Sequence, residues 1–196
     1  MPDMQIEIAD GITPQLESLS ARMRRPRALM AALGKELEVQ LRAHFAAKEK
    51  QGNKKKWPDR HFWAGVRSAT ALTDVTDNSA TVTIASPAFA HKITGGPINA
   101  PPGKALAIPL TPEAYSVDRA RLFPRPLTLV CRPGKPPLLV ETGKIGKSKQ
   151  WKIQYVLVKS VDQDADPDAM PRQADLETAL LARGEKVVAQ ETASLK

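Results

Sequence analysis

Residues 71–85 read ALTDVTDNSATVTIA, and this stretch decides the fold class. Ala71–Thr76 and Ala80–Ala85 alternate in polarity, and Asp77-Asn78-Ser79 between them has turn chemistry. That is the pattern of a β-hairpin, with Val82 and Ile84 on one face. Immediately upstream the period is helical. Leu29, Leu33, Leu37, Leu41 and Phe45 recur every four residues between Pro26 and about Glu49, with Lys35, Glu36, Glu38, Gln40 and Arg42 on the other faces. Pro26 suits a first helical turn, and Gln51-Gly52-Asn53 ends the pattern. A basic stretch, Lys54-Lys55-Lys56-Trp57-Pro58, then leads to a short helix containing Phe62, Trp63 and Val66, with Asp59 as its cap.

Downstream of the hairpin the reading stays mostly β. Ala88–Ile93 reads as extended. Thr94–Gly103 is too rich in Gly and Pro for either regular element. Lys104–Leu110 reads as a strand and Pro112–Tyr115 as one helical turn. Leu127–Arg132 and Leu138–Thr142 pair around Pro133-Gly134-Lys135, and Trp151–Val161 is a strand buried on both faces. Asp162, Asp164, Asp166 and Asp168 form an acidic, solvated linker to a last helix opened by Pro171, with a frayed tail from Gln190. Upstream of Pro26, Met4–Ile8 reads as a strand and Thr13–Met23 as a brief helix. Helices, strands and a closing helix make the class α+β. A long N-terminal amphipathic helix packs on a mostly antiparallel sheet with long Pro/Gly-rich loops. The expected domains are 1–161, and 162–196 as linker and C-terminal helix.

Composition narrows the function. The chain has 196 residues, formal charge +8 and 17 prolines, which argue against a helical bundle. No apolar run approaches the roughly 18–20 residues of a membrane span. MPDMQIEIAD has neither the basic region nor the apolar core of a signal peptide. Cys131 is the single cysteine, so no intrachain disulfide forms, and manufacture in a reducing cytoplasm is expected. Cys131 sits in an apolar strand and is expected to be a buried, inert thiol.

Catalytic signatures are missing. His44, His61 and His91 have no HxxxH or HExxH spacing, and no GxSxG elbow occurs. Gly146-Lys147-Ser148 imitates the end of a phosphate loop, but Glu141 stands where its first glycine belongs, and an exposed basic hairpin loop is the better reading. The Asp162–Asp168 run lacks the Gly and Glu of a calcium loop, with Pro167 and Gln173 in their places. No metal, cofactor or catalytic residue is therefore expected, and an enzyme with an unusual site is the weakest reading.

Two basic clusters remain. One is Lys48, Lys50, Lys54, Lys55, Lys56, Arg60 and Arg67. The other is Lys144, Lys147, Lys149 and Lys152, with Arg119, Arg121 and Arg125 before it. Each adjoins a tryptophan, Trp57 or Trp151. Such clusters can face DNA through phosphate neutralisation and stacking. They can also dock electrostatically on the Asp162–Asp168 or Glu36/Glu38 segments of another copy, or simply be solvated.

The order of features is more informative than any one of them. After the amphipathic helix, Trp57 and the hairpin come Ser86-Pro87-Ala88-Phe89-Ala90-His91-Lys92-Ile93-Thr94-Gly95-Gly96-Pro97-Ile98 and, past a Pro/Gly gap, Gly103-Lys104-Ala105-Leu106-Ala107-Ile108-Pro109. This resembles the virion morphogenesis, or tail-completion, proteins of tailed bacteriophages and prophages, typified by the Mu-like G protein, over roughly residues 28–160. In that group a "YAxxHxxGG-I" segment precedes a "KxLxIP" strand; this chain has Phe89 in place of the tyrosine and extra Pro-rich strands between Tyr115 and Thr142. The resemblance implies a non-enzymatic protein of the virion neck, made in the host cytoplasm. It would form a homo-oligomeric, often sixfold ring that caps the tail tube and joins it to the head connector. It implies Phe89, His91, Gly95, Gly96, Pro97, Ile98 and Lys104 as subunit or partner interface, with Thr94–Gly103 as a reaching arm. Lys54, Lys55, Lys56, Lys144, Lys147 and Lys149 would face lumenal DNA or a neighbouring protein, and no membrane is involved. The alternatives are a basic nucleic-acid-binding module and a head-side adaptor of the connector.

Overall fold

The computed structural model describes residues 26–52, 55–145 and 148–193, with side chains for all of these except 142–150. The strand expected at Met4–Ile8 and the helix expected at Thr13–Met23 lie outside the described residues. The architecture is α+β: a long helix, antiparallel sheets and a C-terminal helix. Two compact units divide the chain, and each is described by itself. Of the described residues, the first holds the long helix as far as Phe45, Arg67–Ala85 and everything from Pro171. The second holds 46–66 and 86–170.

In the first unit, helix α1 (Arg27–Gln51) carries the hairpin β1 (Thr70–Val75) and β2 (Ala80–Ile84). A spacing of four residues overshoots the helical turn by about 40° per step. The leucine line therefore winds around the helix instead of marking one face. Leu41 and Phe45 are buried, whereas Leu29, Leu33 and Leu37 are only half-buried. The buried line is instead Gly34, Glu38, Leu41 and Phe45. Gly34 lets the hairpin approach, because a Cβ there would lie 2.7 Å from both Ala80 Cβ and Leu72 Cδ1. Glu38 tolerates burial because Lys35 donates to it at 2.8 Å and Arg42 pairs with it at 3.0 Å. Those donors hold its carboxyl below the usual range, Lys35 first, against the opposing effect of burial. Arg42 also donates to the Thr70 carbonyl at 2.7 and 3.1 Å, tying helix to strand. In the hairpin Val82 and Ile84 are half-buried and Thr81 and Thr83 exposed, as the alternation requires. The last helix of this unit, residues Gln173–Ala193, runs through the expected frayed tail to Ala193 and has no buried residue.

The second unit is built on an antiparallel sheet. Its strands are β4 (Leu106–Pro109), β5 (Leu127–Arg132), β6 (Lys135–Ile145) and β7 (Ser148–Val158), in the order β4-β7-β6-β5. The expected strand at Trp151 is buried only in part. A register shift between Leu139 and Val140 leaves Gln154 as an extra residue, so Gln154 and Tyr155 are both buried, while Trp151 is 61% exposed. Ala114, Phe123 and Tyr155 form the core, with Leu127 and Leu139 packed on it.

Four further readings of this unit are corrected. Ala88–Ile93 is not extended: Pro87–Thr94 is helix α3, because Ser86 caps it by accepting from Phe89 N at 3.3 Å and Pro87 opens it. The Gly/Pro excursion is not wholly irregular: Gly96–Asn99 is strand β3, paired antiparallel with β8 (Ser160–Gln163). Proline is tolerated there because the two-stranded sheet has only edges. The acidic segment is not simply a solvated linker, since Asp162 lies within β8, opposite Pro97. Cys131 is exposed on edge strand β5 rather than buried.

Candidate functional site

The residues singled out by the motif meet at the corner where α3 runs into β3. Phe89 is 2% exposed and packs edge-to-face on Trp63 at 6.2 Å. Trp63 lies in α2 (Phe62–Ser68). Lys92 Nζ sits over the same indole at 5.6 Å and pairs with Asp166 at 3.0 Å. The Asp166 N–H donates to the Lys92 carbonyl at 3.0 Å, so the acidic turn is stitched to the helix twice. Lys92 holds the Asp166 carboxyl below its usual range. Gly95 ends α3 at φ +66°, where a Cβ would stand 2.6 Å from Ala165 N and 2.8 Å from Gln163 O. Gly96 is also in the positive-φ region, at +113°. His91 lies partly buried here, and its buried Nε2 has no hydrogen-bond partner among the described residues. Ile98 is 39% exposed on β3, and Lys104 is exposed in the turn that starts at Pro101. The segment expected to reach outward as an arm is thus pinned at its start, through Gly95 and β3.

The basic residues fall into two settings. Lys54 and Lys147 lie outside the described residues. Lys55 and Lys56 are exposed, and Lys55 Nζ stands 4.5 Å over the Trp57 ring. Trp57 in turn packs on Tyr115 at 5.3 Å, and Arg60 covers Tyr115 at 5.4 Å while pairing with Asp118 at 2.5 Å. This ladder engages the Trp57 ring within the unit. Lys144 and Lys149 are register partners in the β6–β7 hairpin.

Three groupings were not anticipated. First, Glu49, Asp59 and His61 bring their ligand-type atoms within 4.8 Å of one another, the one such group among the described residues. It acts as a helix cap. The His61 ring Nδ1 lies 2.8 Å from Glu49 Oε1, Ala64 N donates to Glu49 Oε2 at 3.0 Å, and His61 N donates to Asp59 at 2.9 Å. Asp59 thus serves the turn, and Glu49 supplies the cap acceptor for α2. The Glu49 hydrogen bond, then the Asp59 charge, raise the His61 pKa.

Second, Arg125 bridges Glu113 and Glu141, and buried Gln154 donates to Glu141 at 2.8 Å while accepting from Thr111. Arg125 holds both carboxyls below their usual range. Neither is poised as a neutral-pH proton donor, so the grouping is a clasp that ties Pro112–Tyr115, helix α4, to the sheet.

Third, Leu29 and Leu33 of α1, with Leu180, Leu181, Gly184, Val188 and Ala189 of the last helix (α5, Gln173–Ala193), line a groove of about 820 Å³ with Glu177 and Glu185 among its lining residues. Leu181 is 69% exposed in it. The stripe Glu177, Leu181, Gly184, Val188, spaced by four, three and four, was the available signal for it.

No family model, no curated protein and no solved structure matches this chain.

Proposed function

We propose that the chain is a non-enzymatic structural subunit of a bacteriophage neck. It is a tail-completion or tail-terminator protein that assembles into a homo-oligomeric, sixfold ring, caps the tail tube and meets the head connector. The motif resemblance supplies the family. The observation that carries the reading physically is a pair of unlike surfaces, one on each unit, that no other described residue covers. The first is the leucine-lined groove between α1 and α5. The second is the outer edge of β5, which no strand pairs among the described residues and where Leu129 is 54% exposed beside exposed Cys131. A closed ring needs two different patches on one subunit, because its interfaces are heterologous. Exposed apolar grooves and open strand edges are the surfaces that a neighbour completes.

Light scattering after size-exclusion chromatography, with negative-stain microscopy, tests this. The wild type is expected to give annular particles, alone or on added tail tubes. Leu181→Glu on one surface and Leu129→Glu on the other should each block assembly without loss of thermal stability. An equimolar mixture of the two variants retains one productive interface and should stop at dimers. A wild type that stays monomeric on tail tubes, together with tails that end and take heads normally without it, overturns the reading.

A further inference from the structure

The β6–β7 hairpin outruns its sheet. Its last flanking pairs are Leu127↔Glu141 on the β5 side and Pro109↔Tyr155 on the β4 side, followed by the Leu110 N–H to Gln154 carbonyl bond. Beyond these, Thr142↔Trp151, Gly143↔Gln150, Lys144↔Lys149 and Ile145↔Ser148 continue as a two-stranded ribbon, with no further strand beside it among the described residues. Four pairs extend it by about 14 Å. At its base Trp151 is 61% exposed and Lys152 is exposed.

The charge of the ribbon is one-sided. Residues 142–161 contain Lys144, Lys147, Lys149, Lys152 and Lys159 and no acidic residue. The register places Lys144 directly opposite Lys149. Like charges at directly opposed positions destabilise a hairpin. The arrangement is therefore costly to the isolated chain and becomes favourable once an anion lies along the ribbon. Lys152 is different: it stands opposite Glu141 and pairs with Glu113 at 3.4 Å, so the base of the ribbon is neutralised, whereas the register sets Lys144 against another lysine.

We infer that the β6–β7 ribbon binds the phosphate backbone of duplex DNA without reading its sequence. A two-stranded β-ribbon fits the width of the major groove. Lysines supply point charges for phosphate neutralisation rather than the planar, bidentate groups that read bases. An acidic segment of a second copy is the weaker occupant, because Asp166, in the middle of the chain's own acidic run, is already paired with Lys92. The inference is independent of the neck reading, since a ribbon of this kind binds duplex whether or not the chain forms a ring.

Fluorescence anisotropy with a labelled, arbitrary duplex of about 20 base pairs, titrated between roughly 50 and 200 mM salt, tests it. The wild type should bind, with affinity falling steeply as salt rises. Lys144→Gln/Lys149→Gln should weaken binding about tenfold or more and reduce the log–log salt slope by about 2. Its melting temperature should stay level or rise, since a like-charged pair is removed. Lys55→Gln/Lys56→Gln should change binding far less. The inference is overturned if the wild type fails to bind at the lowest salt, if the ribbon variant binds like the wild type, or if both double variants lose affinity equally. Retention of the wild type on polyglutamate but not on duplex overturns it as well.

Discussion

Gly34 and Gly95 each bring two segments closer than a side chain allows, yet they press against different things. In the helix-and-hairpin unit, Gly34 faces side-chain atoms, Ala80 Cβ and Leu72 Cδ1. In the sheet unit, Gly95 faces backbone, Ala165 N and Gln163 O, and also holds a positive φ. Leu72 can yield by changing rotamer, and the Ala80 Cβ can yield only with its strand in the two-stranded hairpin, whereas the backbone at Gly95 is held by both the β3–β8 pairing and the Asp166–Lys92 stitch. The corner of the sheet unit is therefore the more rigid contact, and polar groups close it. In the helix unit the groove between α1 and α5 is apolar and is covered by none of the described residues. Surfaces of the second kind are where association with a neighbour gains most free energy.

The largest effect should come from Gly95→Ala. At φ +66° and ψ −165° the Gly95 backbone lies in a region essentially reserved for glycine, which costs an alanine on the order of 1–3 kcal/mol, and a clash with fixed backbone atoms brings the loss to about 3 kcal/mol or more. Urea unfolding measures it, with Gly96→Ala as the control, because nothing lies within 4 Å of a Cβ at Gly96. A Gly95→Ala chain as stable as the wild type would break the contrast between the two contacts. Gly34→Ala should be milder, at about 1–2 kcal/mol. Overpacking of roughly 1–3 kcal/mol is offset by up to about 1 kcal/mol of helix propensity. Adding Ala80→Gly should recover part of that loss in a double-mutant cycle, whereas no side-chain truncation should rescue Gly95→Ala.

The same two glycines show how far the sequence could be read. Periodicity found α1, the β1–β2 hairpin and the β5–β6 pair, because each is decided by local alternation or helical spacing. It misplaced the buried line of α1. Gly34 and Glu38 do not look like core residues, and their burial depends on Leu72, Ala80 and Arg42, of which only Arg42 is nearby in sequence. It read α3 as extended because eight residues are too few to establish a period, although Ser86-Pro87 was a legible start signal. The motif placed Gly95 and Gly96 among the interface residues and did not show what Gly95 packs against, because Gln163 and Ala165 are about seventy positions away. The lysines of the β6–β7 hairpin were visible as a basic cluster. Their direct opposition needed the register, which the bulge at Gln154 sets.

Asp166→Asn tests the polar side of the corner and should cost about 0.5–1 kcal/mol near neutral pH, a partly screened pair. Because Lys92 lowers the Asp166 pKa, the pair stabilises the fold above the ordinary carboxylate range and stops doing so as pH falls through the folded-state pKa. Wild type and variant should therefore converge in acid, as followed by thermal unfolding across about pH 2–7. A difference that persists unchanged in acid would mean that the turn is held by its backbone bonds and not by the ion pair.

The smallest expected effect separates strain from charge at the α2 cap. His61 is a non-glycine residue at φ +53°, a conformation that asparagine also tolerates. His61→Asn therefore keeps the backbone while removing the ring that meets Glu49 at 2.8 Å. The His61 pKa is raised, so its contribution is fully present below about pH 6.5 and is lost as pH rises through the folded-state value. The variant should melt lower than the wild type at pH 5, by on the order of a degree or two. The gap should close by about pH 9, because Glu49 still accepts from Ala64 N and keeps the helix capped. If the gap is instead independent of pH, the ring contributes by packing alone, and the grouping of Glu49, Asp59 and His61 is held by its backbone bonds.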